Sequence, residues 1–504
     1  MDLSTALIEG IDFFINKAMQ TWNVPGLALV IVKDDQVLLS KGYGVREMDK
    51  PEKVDEHTLF SIGSNTKAFT ATAVGLLVKE GKLEWDDLVT KYIPSFQLYD
   101  SHATRLMTIR DLLCHRGGLG TWAGDMLQLS NYSIEEIIYR LRYIPPAYSF
   151  RAGYGYCNLM FLTAGQVIST VSGTSWDDFI RQRIFEPLGM QDSVTSPLYF
   201  GDRTNIATPH EDIKDKLQTV NYRKDNHFGA AGSICSSISD IVLWMRLHLN
   251  RGTLDENQLV DETIINEMQT PHTLMKLTPV ERNLFPSRRF SAYGLGWFLN
   301  ETDGRFVVRH TGGVDGMLSN VVMIPEKKIG IAVLSNKLPN AAYVAIPHFL
   351  TEKLLGLPER DWNKAYVDID KENKDKATEA KTKKDEAHVK NTHPSLALEK
   401  YAGVYESDIL GRATVSVESD ALSGEAASKR GKFHVQLQSH KSLSGILEHW
   451  HYDTFECHWD DPVLGESLMP FIMDGQGNIT EFRVKIREDW IDPLEHVFKR
   501  LNNQ

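Results

Sequence analysis

Residues 61–79 read SIGSNTKAFTATAVGLLVK, and this stretch decides the fold. Its apolar, alanine-rich body predicts a buried helix, with Gly81 placed just beyond to end it. Ser64 and Lys67 stand at the start, three residues apart, so one helical face carries both the hydroxyl and the amine. A helix N-terminus also offers free N–H groups and a positive dipole end, which suit a developing oxyanion. A serine hydroxyl is a weak nucleophile until a neighbouring base takes its proton, and a desolvated lysine can serve as that base. Taken alone the spacing is common, and its plain alternative is an N-capping serine beside an exposed lysine.

Working outward, residues 3–20 predict an amphipathic helix, with Leu7, Ile11, Phe14 and Ile15 at helical spacing. VPGLALVIVKDDQVLLSKGYGVRE then reads as a β-hairpin joined across Lys33, Asp34 and Asp35. Residues 85–290 mix turns with helical stretches at 133–142, 176–184, 238–249 and 261–268. From Tyr293 to Asn336 come strand-like runs, YGLGWFL, RFVVRH, LSNVVMI and KIGIAVLSN, with turns expected at Asp303–Gly304, Gly312–Gly316 and Pro325–Lys328. Strands at both ends with helices between predict one α/β domain whose sheet is closed by distant segments.

Two further signals carry chemistry. Tyr156-Cys157-Asn158 places a phenol, tunable by a nearby cation and by burial, beside an amide that both donates and accepts hydrogen bonds. The plain alternative is a loop bonding its own backbone. His310-Thr311-Gly312-Gly313 follows the strand RFVVR, where small residues leave a bare edge for an extended substrate. Its plain alternative is a simple turn.

In this order and at these separations, Ser64/Lys67, Tyr156/Asn158 and His310–Gly312 resemble the Ser-x-x-Lys, Tyr-x-Asn and Lys/His-Thr-Gly motifs of the serine β-lactamase and penicillin-recognising enzymes. The resemblance is to the class C-like branch, with its D-peptidases and esterases. GKLEWDDLVTKYIP, TIRDLLCHRGGL, RIFEPLGM, AAGSICSSISDIVLW and YGLGW resemble family signatures too, so the likeness covers about residues 10–355. It implies an α/β (α+β) fold, with an antiparallel sheet flanked by helices and a helical insertion. It implies Ser64 as the acylated nucleophile, with Lys67 and Tyr156 together taking and returning its proton; which of the two is deprotonated at rest stays open. The backbone N–H groups of Ser64 and Gly313 would form the oxyanion hole, and Asn158, His310 and Thr311 would bind substrate. Histidine at 310, where many β-lactamases carry lysine, weakens the attraction for a drug carboxylate and shifts the expectation toward peptide, amide or ester hydrolysis. There is no Ser-Asp-Asn triplet between the first and last motifs to compete with Tyr-x-Asn.

The whole chain has 504 residues, 42% apolar and 10% aromatic, which is ample for a large core. Its net charge of −12 argues against a nucleic-acid or anionic-membrane partner. No apolar run approaches the roughly 18 residues that span a bilayer. The first residues lack a basic n-region, so a cytoplasmic location is expected. Four scattered cysteines give neither a disulfide framework nor zinc spacing. His449, His451 and His458 alternate along a strand-like run, so no metal site is expected there. Cys157 lacks an activating histidine nearby in sequence, and His115 is expected to pack.

Composition shifts near residue 364, where KAYVDIDKENKDKATEAKTKKDEAHVKN holds eight lysines against seven acids: a solvated linker or a charge-laced helix. Beyond it RATVSV, KFHVQLQ and FRVKI alternate as strands do, and residues 395–504 weakly resemble the lipocalin-like domain often appended to this branch. The expected division is a hydrolase domain over 1–360, a charged linker over 361–394 and a β domain over 395–504. The expected function is a serine hydrolase acting, with no cofactor or metal, on D-amino-acid-containing peptides, amides or small esters. The alternatives are an acyltransferase or peptide-cyclising thioesterase of the same family, a weak β-lactamase, or a silent scaffold. A small-molecule or peptide substrate is the expected partner, with capping of the cleft or self-association into a homo-oligomer open to the C-terminal domain.

Overall fold

The computed structural model describes residues 5–223, 229–314, 316–417, 433–439, 443–487 and 492–501. Residues 3 and 4 of the first expected helix, and Lys432 at the head of KFHVQLQ, lie outside the described residues. Helix α1 (Thr5–Trp22) leads into the hairpin of β1 (Gly26–Lys33) and β2 (Gln36–Gly44). Asp34 and Asp35 make its turn at φ of 51° and 64°, a left-handed backbone that aspartate tolerates and that matches strand twist.

Six later strands join these two: β3 (Thr273–Met275), β4 (Ser291–Tyr293), β5 (Phe298–Thr302), β6 (Arg305–Val314), β7 (Met317–Ile324) and β8 (Ile329–Ser335). The sheet is antiparallel in the order β2-β1-β8-β7-β6-β5-β4-β3, with Leu27 opposite Ser335. Distant segments thus close it, as the sequence predicts. YGLGWFL forms parts of two strands, β4 and β5. The expected turn at Gly312–Gly316 is a correction: Gly312 and Gly313 lie inside β6, paired with Ser319 and Leu318. Strand geometry persists there because both glycines stay paired with β7, and the missing Cβ of Gly312 lets Ile62 O come within 1.9 Å of where it would stand.

Both faces of the sheet are covered: β1 is apolar and buried from Gly26 to Val32, with only Lys33 at its end polar. Leu27, Leu29 and Ile31 pack with α1. Ala28, Val30 and Val32 face the opposite core. That core holds α2 (Thr66–Lys79), α3 (Asn158–Ser172) and α4 (Ile238–Leu249), with Phe69 stacked on Trp244 at 3.9 Å. Helix α5 (Ala342–Leu355) joins α1 on the first face.

The charged stretch is helix α6 (Trp362–Glu386), anchored by buried Trp362 and laced by i,i+4 ion pairs such as Lys374–Asp370 at 2.8 Å. Beyond it eight antiparallel strands close a barrel in chain order: β9 (Gly403–Ser407), β10 (Gly411–Val417), β11 (Phe433–Leu437), β12 (Ser444–His451), β13 (Thr454–Trp459), β14 (Glu466–Met473), β15 (Ile479–Lys485) and β16 (Glu495–Arg500). Aromatic rings fill its core, Phe433 meeting Phe455 at 4.9 Å and Tyr405 meeting Phe482 at 5.0 Å. The barrel seats on the helical insertion. Asn131 N–H donates to Ser439 O at 2.7 Å, and Arg140 Nη1 donates to the Asp408 and Ile409 carbonyls at 2.7 and 3.1 Å. Among the described residues, no helix is long and apolar enough to cross a membrane.

Candidate active site

Ser64 lies in a single 3-10 turn, Gly63–Asn65, that feeds α2. Asn65 Nδ2 donates to Ser319 Oγ at 2.8 Å, and that hydroxyl donates to Ile62 O at 2.6 Å, fixing the turn to β7. Gly63 has φ +51° and abuts β6: a Cβ on it would stand 2.7 Å from Gly313 N. The Gly313 N–H is thereby held beside the serine turn.

Lys67 is completely buried and donates to Ser64 Oγ at 3.0 Å, Asn158 Oδ1 at 2.7 Å and Ala231 O at 2.7 Å. Loss of solvent pulls its pKa down to about 7, with Asp125 and Cys157 acting in the opposite direction. Near neutral pH the amine can then shed its proton and offer a lone pair to the Ser64 proton. The Tyr156 ring lies 4.8 Å from Lys67 Nζ. Burial drives its phenol far above the usual value, with only a bond to Ser64 opposing, so it stays protonated. The two partners left equivalent by the sequence are therefore unequal.

Asn158 opens α3, and its amide is used at both ends: Oδ1 accepts from Lys67, and Nδ2 donates to Asp125 Oδ2 at 2.6 Å. Asp125 escapes sequence reasoning, since a lone aspartate in TWAGDML carries no motif. His115 packs as expected, its Nδ1 accepting the Cys157 N–H at 3.1 Å and its ring 4.2 Å from Tyr156. Cys157 is buried, and its thiol is pushed up to about 12, an inert state.

His310 is buried and neutral, since burial lowers its pKa to about 3 with Lys67 adding to the effect. The Thr311 carbonyl can only accept, so Nδ1 carries the proton across 2.6 Å, and Nε2 accepts from the Tyr293 hydroxyl at 2.9 Å. The residue closes a hydrogen-bond chain and offers no cation.

Ser64, Tyr156, Asn158, His310, Thr311 and Gly313 line one cleft of about 440 Å³, with Lys67 behind its floor. Trp122, Leu129, Met275, Phe298 and Leu338 make much of the remaining wall apolar. Glu211 and Arg223 also line it, and Val463 enters from the barrel. Among the described residues, the histidines of the barrel do not converge. His458 alone meets Glu456 and Glu466, where Lys384 Nζ already stands 2.6 Å from Glu456.

Comparison with known proteins places this geometry. Residues 11–353 match the Beta-lactamase family model, and residues 387–497 match a domain of unknown function, DUF3471. The chain is 28% identical to "Unguisins hydrolase ungD" of Aspergillus violaceofuscus over 490 residues, covering 90% of this chain and 83% of that protein. The octameric penicillin-binding protein homologue from Pyrococcus abyssi superposes with a TM-score of 0.61 at 22% identity, covering 98% of this chain and 100% of that one, barrel included. A D-stereospecific amidohydrolase from Streptomyces sp. gives 0.52 at 21% identity, over 64% of this chain and 94% of that one. By the family match over 11–353, and with a serine-and-lysine cleft at the head of α2, the chain belongs to the beta-lactamase family and is a serine hydrolase of that fold.

Proposed function

We propose that the protein forms an acyl-enzyme at Ser64 and hydrolyses amide or ester bonds of apolar peptide derivatives, D-amino-acid-containing ones among them. The observation that carries this is the 3.0 Å contact between Ser64 Oγ and a lysine amine whose pKa lies near 7. In acylation, Lys67 Nζ takes the Ser64 proton as Oγ bonds to the substrate carbonyl carbon. The backbone N–H groups of Ser64 and Gly313 receive the oxyanion. The tetrahedral adduct collapses, the bond to the amine or alcohol breaks, and that leaving group takes a proton from the Lys67–Tyr156 pair. Water then repeats the sequence on the ester and frees the acid.

The apolar wall and a neutral His310 support uncharged acyl portions over substrates anchored by a carboxylate. The unguisins hydrolase supports hydrolysis, and the name of the D-stereospecific amidohydrolase favours D-configured amides. The octameric Pyrococcus abyssi homologue extends the proposal to self-association, which light scattering reads directly.

A substrate panel of D- and L-aminoacyl amides, short p-nitrophenyl esters and nitrocefin tests the reading, with a fluorophosphonate as covalent probe. Esters and D-amides should be turned over faster than nitrocefin, with the probe's mass added at Ser64. A Ser64→Ala protein that keeps its activity defeats the proposal.

A further inference from the structure

The row of buried polar groups behind the cleft does not end at the catalytic domain. Asp125 accepts N–H bonds from Asn158 Nδ2 at 2.6 Å and from Gln128 Nε2 at 2.8 Å. The next backbone N–H, that of Met126, points to Oδ2 of Asp492 at 3.4 Å. Asp492 belongs to the barrel, just before β16, and is fully buried. Its own side holds it in place. Oδ1 accepts the Leu494 N–H at 3.0 Å, its N–H donates to Arg487 O at 3.3 Å, and Nε2 of buried His496 stands 3.4 Å from Oδ2. Lys67, Asn158, Asp125, Asp492 and His496 thus form one chain of buried groups that crosses between the domains. A carboxylate kept from water is costly unless its surroundings fix it, so this placement constrains both sides.

We infer that Asp492 is a positioning residue of the catalytic centre: it braces the Asp125 turn and, through Asn158, fixes the Lys67 amine beside Ser64. This rests on the acyl-enzyme reading above. A second carboxyl group near a buried one disfavours its ionisation. Burial raises the Asp125 pKa well above the usual range, and Asp492 adds to this; Asn158, Lys67 and Gln128 oppose. Lys67 is faced by Asp125, Cys157 and Tyr156, and by the neutral rings of His115 and His310. Without the raising effect of Asp492, Asp125 ionises more readily, which favours the ammonium form of Lys67. The acid limb of kcat/KM then moves to higher pH.

The experiment compares full-length Asp492→Ala and Asp492→Asn with Arg140→Ala, which removes a different contact to the barrel. Asp492→Ala should lose about tenfold in kcat with KM inside a factor of about two. Both Asp492 variants should move the acid limb upward by about half a pH unit or more. Asp492→Asn keeps an acceptor for the Met126 N–H and should recover most of kcat, while Arg140→Ala should change neither quantity. Should Asp492→Ala lack a cooperative melt, Asp492→Asn decides by its limb. An unmoved limb with parental kcat overturns the inference, as does an equal loss in Arg140→Ala. Ser64→Ala separates the two ideas: if it stays active, both fall; if it is dead while the Asp492 variants behave as the parent, only the bracing falls.

Discussion

Lys67 and Tyr156 have similar reference pKa values near 10, so the order of their protons depends on surroundings that no local motif encodes. Lys67 is buried by segments as distant as Asn158 and Ala231, and burial acts oppositely on an amine and a phenol. A base must be unprotonated, so kcat/KM should rise with pH through a single limb near 7, which a pH–rate profile on a neutral ester reads. Lys67→Arg, which cannot give up its proton, should cost about 10³-fold or more in kcat. Tyr156→Phe should cost about 10²-fold yet leave the limb in place, because the phenol never ionises in that range. His310 shows the same limit of local reading. Its type and place are legible, but burial is what keeps it neutral, and its bond partner Tyr293 is brought over by β4.

Elements carry the same lesson in geometry. Helix α2, the β1–β2 hairpin and the runs of β6 to β8 stand in the sequence because apolar residues keep helical or strand period there. What escaped was the span of β6, since glycines signal a turn as readily as a close approach. Gly312→Ala would drive a Cβ to 1.9 Å from Ile62 O, a backbone atom that cannot step aside. The serine turn must shift, and kcat should fall about 10²-fold with the fold retained by circular dichroism. The short helix Ile109–Leu113 is held differently, by a capping box in which Thr108 caps and Asp111 accepts the Thr108 N–H, and by Asp111 pairing with Arg116 at 2.5 Å and Arg151 at 2.6 Å. Burial raises the Asp111 pKa, but the bonds from Arg151, the Thr108 N–H and Arg116 outweigh it and hold the pKa below 3.8. The stability Asp111 gives is thus present above that pH and fades as pH falls through the folded value. Asp111→Ala should lose about 3–5 kcal/mol at neutral pH in denaturant melts, and the gap to the parent should narrow in acid.

At the scale of the whole molecule, the sequence marks where the chain changes character but not how its halves meet, because interface residues such as Asn131, Ser439 and Val463 carry no periodic signal. The stretch from 364 was ambiguous for a physical reason: lysine and acid four apart fit a solvated coil and an ion-paired helix alike. Val463 is tied in a tight turn by its N–H to Asp461 Oδ1 at 3.0 Å and its carbonyl to Arg487 Nη1 at 2.7 Å. Val463→Trp should therefore raise KM for peptide amides about tenfold and leave p-nitrophenyl acetate unchanged within about twofold, as steady-state kinetics would show. The pairing of Leu27 with Ser335 has a consequence during synthesis. Ser64 is translated early, yet the strand that supplies Gly313 and the one that seals β1 leave the ribosome some 250 residues later. Contacts this remote in the chain form late. A nascent polypeptide arrested before residue 335 should take no fluorophosphonate label, so the nucleophile stays unreactive until about two thirds of the chain has been made.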